Sequence, residues 1–124
     1  MYTAIVLDEE SRKRLINRFI HLVPAGWDVI AHHMTINMGP IGKGPADPSL
    51  LGTPAELTVV SVAADDKVLA VGVTSDVPSK NERPHVTVAV NRAGGGKPFM
   101  SNNLKDWELL TDPFDLFGTV QEVG

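Results

Sequence analysis

Two short stretches, His33-Met34-Thr35-Ile36 and His85-Val86-Thr87-Val88, decide how this chain is read. Each sets a His-x-Thr into an apolar, β-branched run with the character of a strand. Side chains alternate faces along a strand, so His33 and Thr35 share one side while Met34 and Ile36 share the other. The same alternation groups His85 with Thr87 and turns Val86 and Val88 toward a core. An imidazole beside a hydroxyl, built twice, suits acid–base chemistry on a phosphate. One ring takes a proton, the other gives one, and the hydroxyls hold the oxyanion.

Working outward, residues 3–7 read as a strand and Asp8 to Leu22 as a helix, capped by Asp8 or Ser11 and ended by Pro24-Ala25-Gly26. Trp27 to Met38 is the strand region that carries the first motif. A Gly- and Pro-rich loop runs from Gly39 to Pro54; its length suits either a solvated connection or a lid over the site. Glu56 to Ala64 and Val68 to Thr74 form a hairpin across Asp65-Asp66-Lys67. His85 to Val90 is the second motif strand, Ser101 opens a short helix through Trp107, and Phe114 to Val123 closes the chain as a strand. The sum is an α+β domain spanning 1–124, with mostly antiparallel strands and helices packed against them.

Composition narrows the function classes. A hydrophobic fraction of 43% and a charged fraction of 21% are those of an ordinary globular domain. The absence of cysteine excludes a disulfide framework, a thiolate zinc site and a Cys nucleophile. No stretch has the apolar length of a membrane span, and acidic Asp8-Glu9-Glu10 follow the short apolar start, so a cytoplasmic location is expected. The formal net charge of −4 argues against a broad nucleic-acid coat, and neither membrane nor DNA is expected as a partner. A small site for one or two phosphates needs only a few local cations, and Lys43, Arg83, Arg92 and Lys97 stand near the motifs.

A single His-x-Thr arises readily by chance; two of them, each with large apolar residues at the remaining positions, do so rarely. The alternative is two histidines on the solvent face of a sheet. A metal site with His32 as a further imidazole is disfavoured, because His32 and His33 point to opposite faces of a regular strand. No carboxylate or cysteine stands at ligand spacing either.

The paired motifs, the strand–helix start and the lack of cysteine resemble the two-histidine phosphoesterase superfamily. That group includes bacterial RNA ligase/cyclic phosphodiesterases and the cyclic phosphodiesterase domains of tRNA ligases. The resemblance spans nearly the whole chain in element order, its specific content being the eight motif residues; the short length is closest to compact members associated with RNA repair. It implies two pseudo-symmetric α+β lobes of mostly antiparallel strands with flanking helices around a central groove, each lobe supplying one motif. It also implies no metal or other cofactor, and hydrolysis of a 2′,3′-cyclic phosphate on an RNA end or nucleotide to a 2′-phosphate. His33, Thr35, His85 and Thr87 are then the catalytic set, with the acid and base roles open between the two histidines. A 3′–5′ cyclic nucleotide or oligonucleotide messenger is an alternative substrate, and a non-catalytic nucleotide- or RNA-end-binding module is an alternative use of the same groove.

Further candidates for substrate binding are Asn37, which alternation places on the His33/Thr35 face, and Arg83, Lys43 and Lys97 as phosphate contacts. Gly94-Gly95-Gly96-Lys97 lacks the full phosphate-loop pattern and has Pro98 where a hydroxyl belongs, which excludes a nucleoside triphosphatase reading. Trp27, Phe99 and Trp107 are either core or stacking platforms for a base.

Overall fold

The alternating start of the chain becomes strand β1 (Tyr2–Leu7), and the later strands curl around it into a closed barrel. A computed structural model describes all 124 residues. After β1 come helix α1 (Glu9–Phe19), the short strand β2 (Asp28–Val29), β3 (His33–Met38), β4 (Pro54–Ala64), β5 (Val68–Thr74), β6 (His85–Val90) and β7 (Glu108–Val123). The antiparallel sheet runs β2-β6-β3-β1-β7-β4-β5, and pairing of β5 back onto β6 closes six of its strands into a ring. The α+β class with mostly antiparallel strands is therefore as the sequence pattern indicates, with one α-helix.

Closure follows from the alternation. Ile5, Met34, Ile36, Leu57, Val59, Leu69, Val71, Val86, Val88 and Leu116 all face the enclosed core. Each such side chain removed from water contributes about 1.5–3 kcal/mol. Leu15 and Phe19, on one face of α1, join the same cluster. Asp8 caps the helix by accepting from the Ser11 amide at 2.7 Å, while the Ser11 hydroxyl accepts from the Phe117 amide at 2.8 Å. One short sequence thus starts the helix and ties it to β7.

Several boundaries differ from the sequence pattern, each for a local reason. β7 begins at Glu108 rather than Phe114. Its ladder with β4 passes from Val59↔Phe114 to Ser61↔Leu109, so Pro113, which has no amide hydrogen, falls in a bulge that the strand crosses. The expected helix from Ser101 to Trp107 is a 3₁₀ turn over Pro98–Asn103. The 39–54 loop is no lid: it holds two 3₁₀ turns, Ile41–Lys43 and Pro48–Leu50, and buries Ile41 and Ala46 in the core. No helix is long and apolar enough to cross a membrane.

Gly118 sits where β7 touches both neighbours, opposite Leu7 and Ala55. A Cβ there would lie 2.3 Å from the Val6 carbonyl oxygen, a backbone atom with little room to yield. Gly118→Ala should therefore cost about 1–3 kcal/mol in chemical denaturation. Gly42→Ala, with nothing within 4 Å of the added carbon, should stay within about 0.5 kcal/mol of the parent.

Candidate active site

β3 and β6 lie side by side and antiparallel, with Met34 opposite Val86. An antiparallel pair has a local two-fold axis through such a residue pair. A half-turn about it carries His33 onto His85 and Thr35 onto Thr87. With Met34 and Val86 in the core, all four motif side chains emerge on the outer face of the barrel. They line one cavity of about 580 Å³. His33 and His85 are diagonal cross-strand neighbours, a relation that places Cβ atoms about 7–8 Å apart or somewhat less.

Both motif rings engage Nδ1 and leave Nε2 free. His85 donates Nδ1–H to the Arg83 carbonyl at 3.0 Å. His33 Nδ1 lies 2.9 Å from Nδ1 of His32. This corrects the expectation that His32 and His33 diverge: both line the cavity. The cause is a break in the strand between β2 and β3, where Ala31 takes a left-handed conformation at φ 46°. Ile30 and Ala31 still donate to the Val88 and Thr87 carbonyls at 2.8 and 3.0 Å, so the chain follows β6 while alternation is lost before His33.

The consequence is electrostatic. Burial first, then the neighbouring His32 and His85, lower the His33 pKa from 6.5 to about 4, so this ring is neutral through the physiological range. Only one proton fits between the two Nδ1 atoms. For His33 to offer a lone pair at Nε2 it must donate Nδ1–H to Nδ1 of His32. Tyr2 packs on His33 with ring centroids 4.8 Å apart, and burial raises its own pKa.

The threonines are held differently. The Thr87 hydroxyl shares a 2.8 Å hydrogen bond with Ser101 Oγ and lies 3.3 Å from the Pro98 carbonyl. Thr35 lines the cavity, and its carbonyl accepts from Ser79 Oγ at 2.8 Å. That bond and the Lys80 amide on the Ile36 carbonyl, at 2.7 Å, stitch the 75–84 loop to β3.

Lys80, exposed at the cavity, is the cation that the structure brings to the motifs, together with Asn81; neither is among the candidates named from sequence. The cations singled out from sequence lie elsewhere. Lys43 sits exposed on its 3₁₀ turn and Lys97 precedes the 98–103 turn, neither lining the cavity. Arg83 stacks 5.4 Å over the Trp107 ring in an adjacent cavity, and Arg92 pairs with Asp28 at 2.8 Å.

Asn37 lines the same cavity, although the strand alternation is interrupted just before it. Thr3 pairs with Asn37 and Ala4 with Thr35, leaving Ile36 as an extra residue. Asn37 is 4% exposed, and its Nδ2 donates to the Met38 and Pro40 carbonyls. Of the aromatic candidates, Trp27 packs on the core, while Phe99, 60% exposed, stands at the cavity. No group of three or more His, Cys, Asp or Glu side chains is placed to hold a metal ion.

His32→Ala should raise the His33 pKa from about 4 toward 6.5, because it admits water and removes a neighbouring charge. A ¹H–¹⁵N titration of the ring nitrogens reads this directly. An unmoved His33 would mean that the 2.9 Å contact does not govern the ring.

Comparison with protein-family models, with curated proteins and with solved structures finds no match to this chain. The functional reading therefore rests on the geometry of the four motif side chains and their imidazole neighbour.

Proposed function

We propose that the chain is a metal-independent phosphodiesterase of the two-histidine type, acting on a 2′,3′-cyclic phosphate at an RNA end or nucleotide. One observation carries this reading: the Met34–Val86 pairing directs both His-x-Thr motifs into a single cavity. The two related halves that the resemblance implies are read here as β3 and β6 with their flanking loops, exchanged by the local half-turn.

The neutral ring, His33, is assigned as base and His85 as acid. A water at Nε2 of His33 gives up its proton as its oxygen bonds to phosphorus. The bond from phosphorus to the ribose 3′ oxygen breaks, and Nε2–H of His85 protonates the departing alkoxide. Thr35 donates to one non-bridging oxygen; Thr87, accepting from Ser101 and turning its hydrogen away from the Pro98 carbonyl, donates to the other, and Lys80 offsets their charge. The strained five-membered ring supplies part of the driving force, so positioning and proton transfer suffice. The cavity volume of about 580 Å³ is in the range of small-molecule sites.

In the presence of a chelator, the protein should open a 2′,3′-cyclic nucleotide, with phosphorus NMR showing a 2′-phosphate. His33→Ala and His85→Ala should each lower kcat by about 10²–10⁴-fold. Absence of turnover with tight nucleotide binding would leave a non-catalytic binding module, and turnover of 3′–5′ cyclic substrates alone would transfer the site to messenger hydrolysis.

The pH dependence follows from His33. The base must be neutral, so the acidic limb of kcat/KM should lie below the usual imidazole range, toward the His33 pKa of about 4. That limb should move in His32→Ala together with the His33 pKa; a limb that the substitution leaves in place would count against His33 as the base.

A further inference from the structure

Behind the wall that carries Thr87 lies a second cavity, of about 740 Å³, which the reaction does not use. It is bounded by β4, β5, the residues leading into β6 and the 98–103 turn. The partition is thin. Thr87 faces the first cavity and Ser101 the second, and their hydroxyls are 2.8 Å apart. Asn102 borders both. Arg83 lines the second cavity while its carbonyl holds His85 in the first.

The chemistry of the second cavity is that of a nucleotide site. The Arg83 guanidinium lies 5.4 Å over the Trp107 ring, so a flat cation and a flat aromatic already form one stack. The indole is fixed by Nε1–H donation to the Leu104 carbonyl at 3.2 Å. Gly72 holds the floor close: a Cβ there would lie 2.1 Å from Ser61 Oγ and 3.5 Å from the indole. Ser61, Glu82 and Asn102 supply acceptors and donors for a base edge. Arg83 is the one cation lining this cavity and Lys80 the one lysine or arginine lining the other, matching one phosphodiester beside one terminal phosphate.

We propose that this second cavity binds the nucleotide on the 5′ side of the reacting phosphate, so that the substrate is an RNA 3′ end rather than a free cyclic mononucleotide. The inference rests on the phosphodiesterase reading and deepens it. The base stacks on the Arg83–Trp107 pair, and Arg83 meets the connecting phosphodiester.

The test compares a dinucleotide ending in a 2′,3′-cyclic phosphate with the corresponding cyclic mononucleotide. For the parent protein, kcat/KM should favour the dinucleotide by about tenfold or more, the worth of one base on an aromatic face. Trp107→Ala should erase that preference and spare the mononucleotide rate, and Trp107→Phe should retain most of it. Arg83→Gln, at an exposed side chain, should reduce the preference and its salt dependence.

Equal rates for the two substrates, or a preference that survives Trp107→Ala, would overturn the inference while leaving the phosphodiesterase reading intact. If neither substrate reacts, that reading fails, and tryptophan fluorescence decides this one separately. Quenching by the dinucleotide, lost in Trp107→Phe, supports a nucleotide site; no quenching overturns it.

Discussion

The register between β3 and β6 is the constraint on which the site depends. A slip of one residue would exchange the faces of a strand, sending His33 and Thr35 into the core and Met34 into solvent. Two strands alone would hold that register weakly, and the barrel holds it from both sides. Val86 is opposite Met34 on one edge of β6 and opposite Val71 on the other. Met34 in turn faces Ile5 across β1. Met34, Val86, Val71 and Ile5 are all essentially inaccessible to solvent, so a slip would expose several large apolar side chains together.

The arrangement would also let a chain of net charge −4 hold an anion, if the proposed reaction is its function. The positive groups are few and local, and the principal donors are imidazoles and hydroxyls. Burial keeps His33 uncharged, which suits a base, and a carbonyl orients His85. Such a site depends on rigid placement more than on a general field, and the hydrogen bonds that set it come from loops anchored to the motif strands. Ser79 ties the 75–84 loop to Thr35, and Ser101 ties the 98–103 turn to Thr87.

Much of this was legible in the chain itself. The boundaries of β5 follow from a short apolar run ended by polar residues, those of β6 and the pairing of His with Thr from alternation, and the Asp8 cap from cap chemistry. Closure of the sheet was not legible, because a half-buried strand looks the same in an open sheet as in a barrel. His32 was misplaced because alternation assumes a regular strand, and nothing in Ile30-Ala31-His32 announces a left-handed alanine. Asn37 lines the cavity with the motifs, but one extra residue at Ile36 interrupts the alternation that would place it there. Lys80 reaches the cavity through a loop whose path is set by contacts with β3, so distance along the chain from His85 was no guide.

The half-turn relating the two motifs carries a problem of direction. A perfectly two-fold pocket would accept a phosphodiester equally well head-first or tail-first, and half of all encounters would present the wrong oxygen to the acid. Here the two motifs are chemically unequal: one imidazole is backed by another imidazole, the other by a peptide carbonyl, and only one threonine hydroxyl is bonded to a serine side chain. That inequality gives the pocket a polarity that two equivalent motifs would lack.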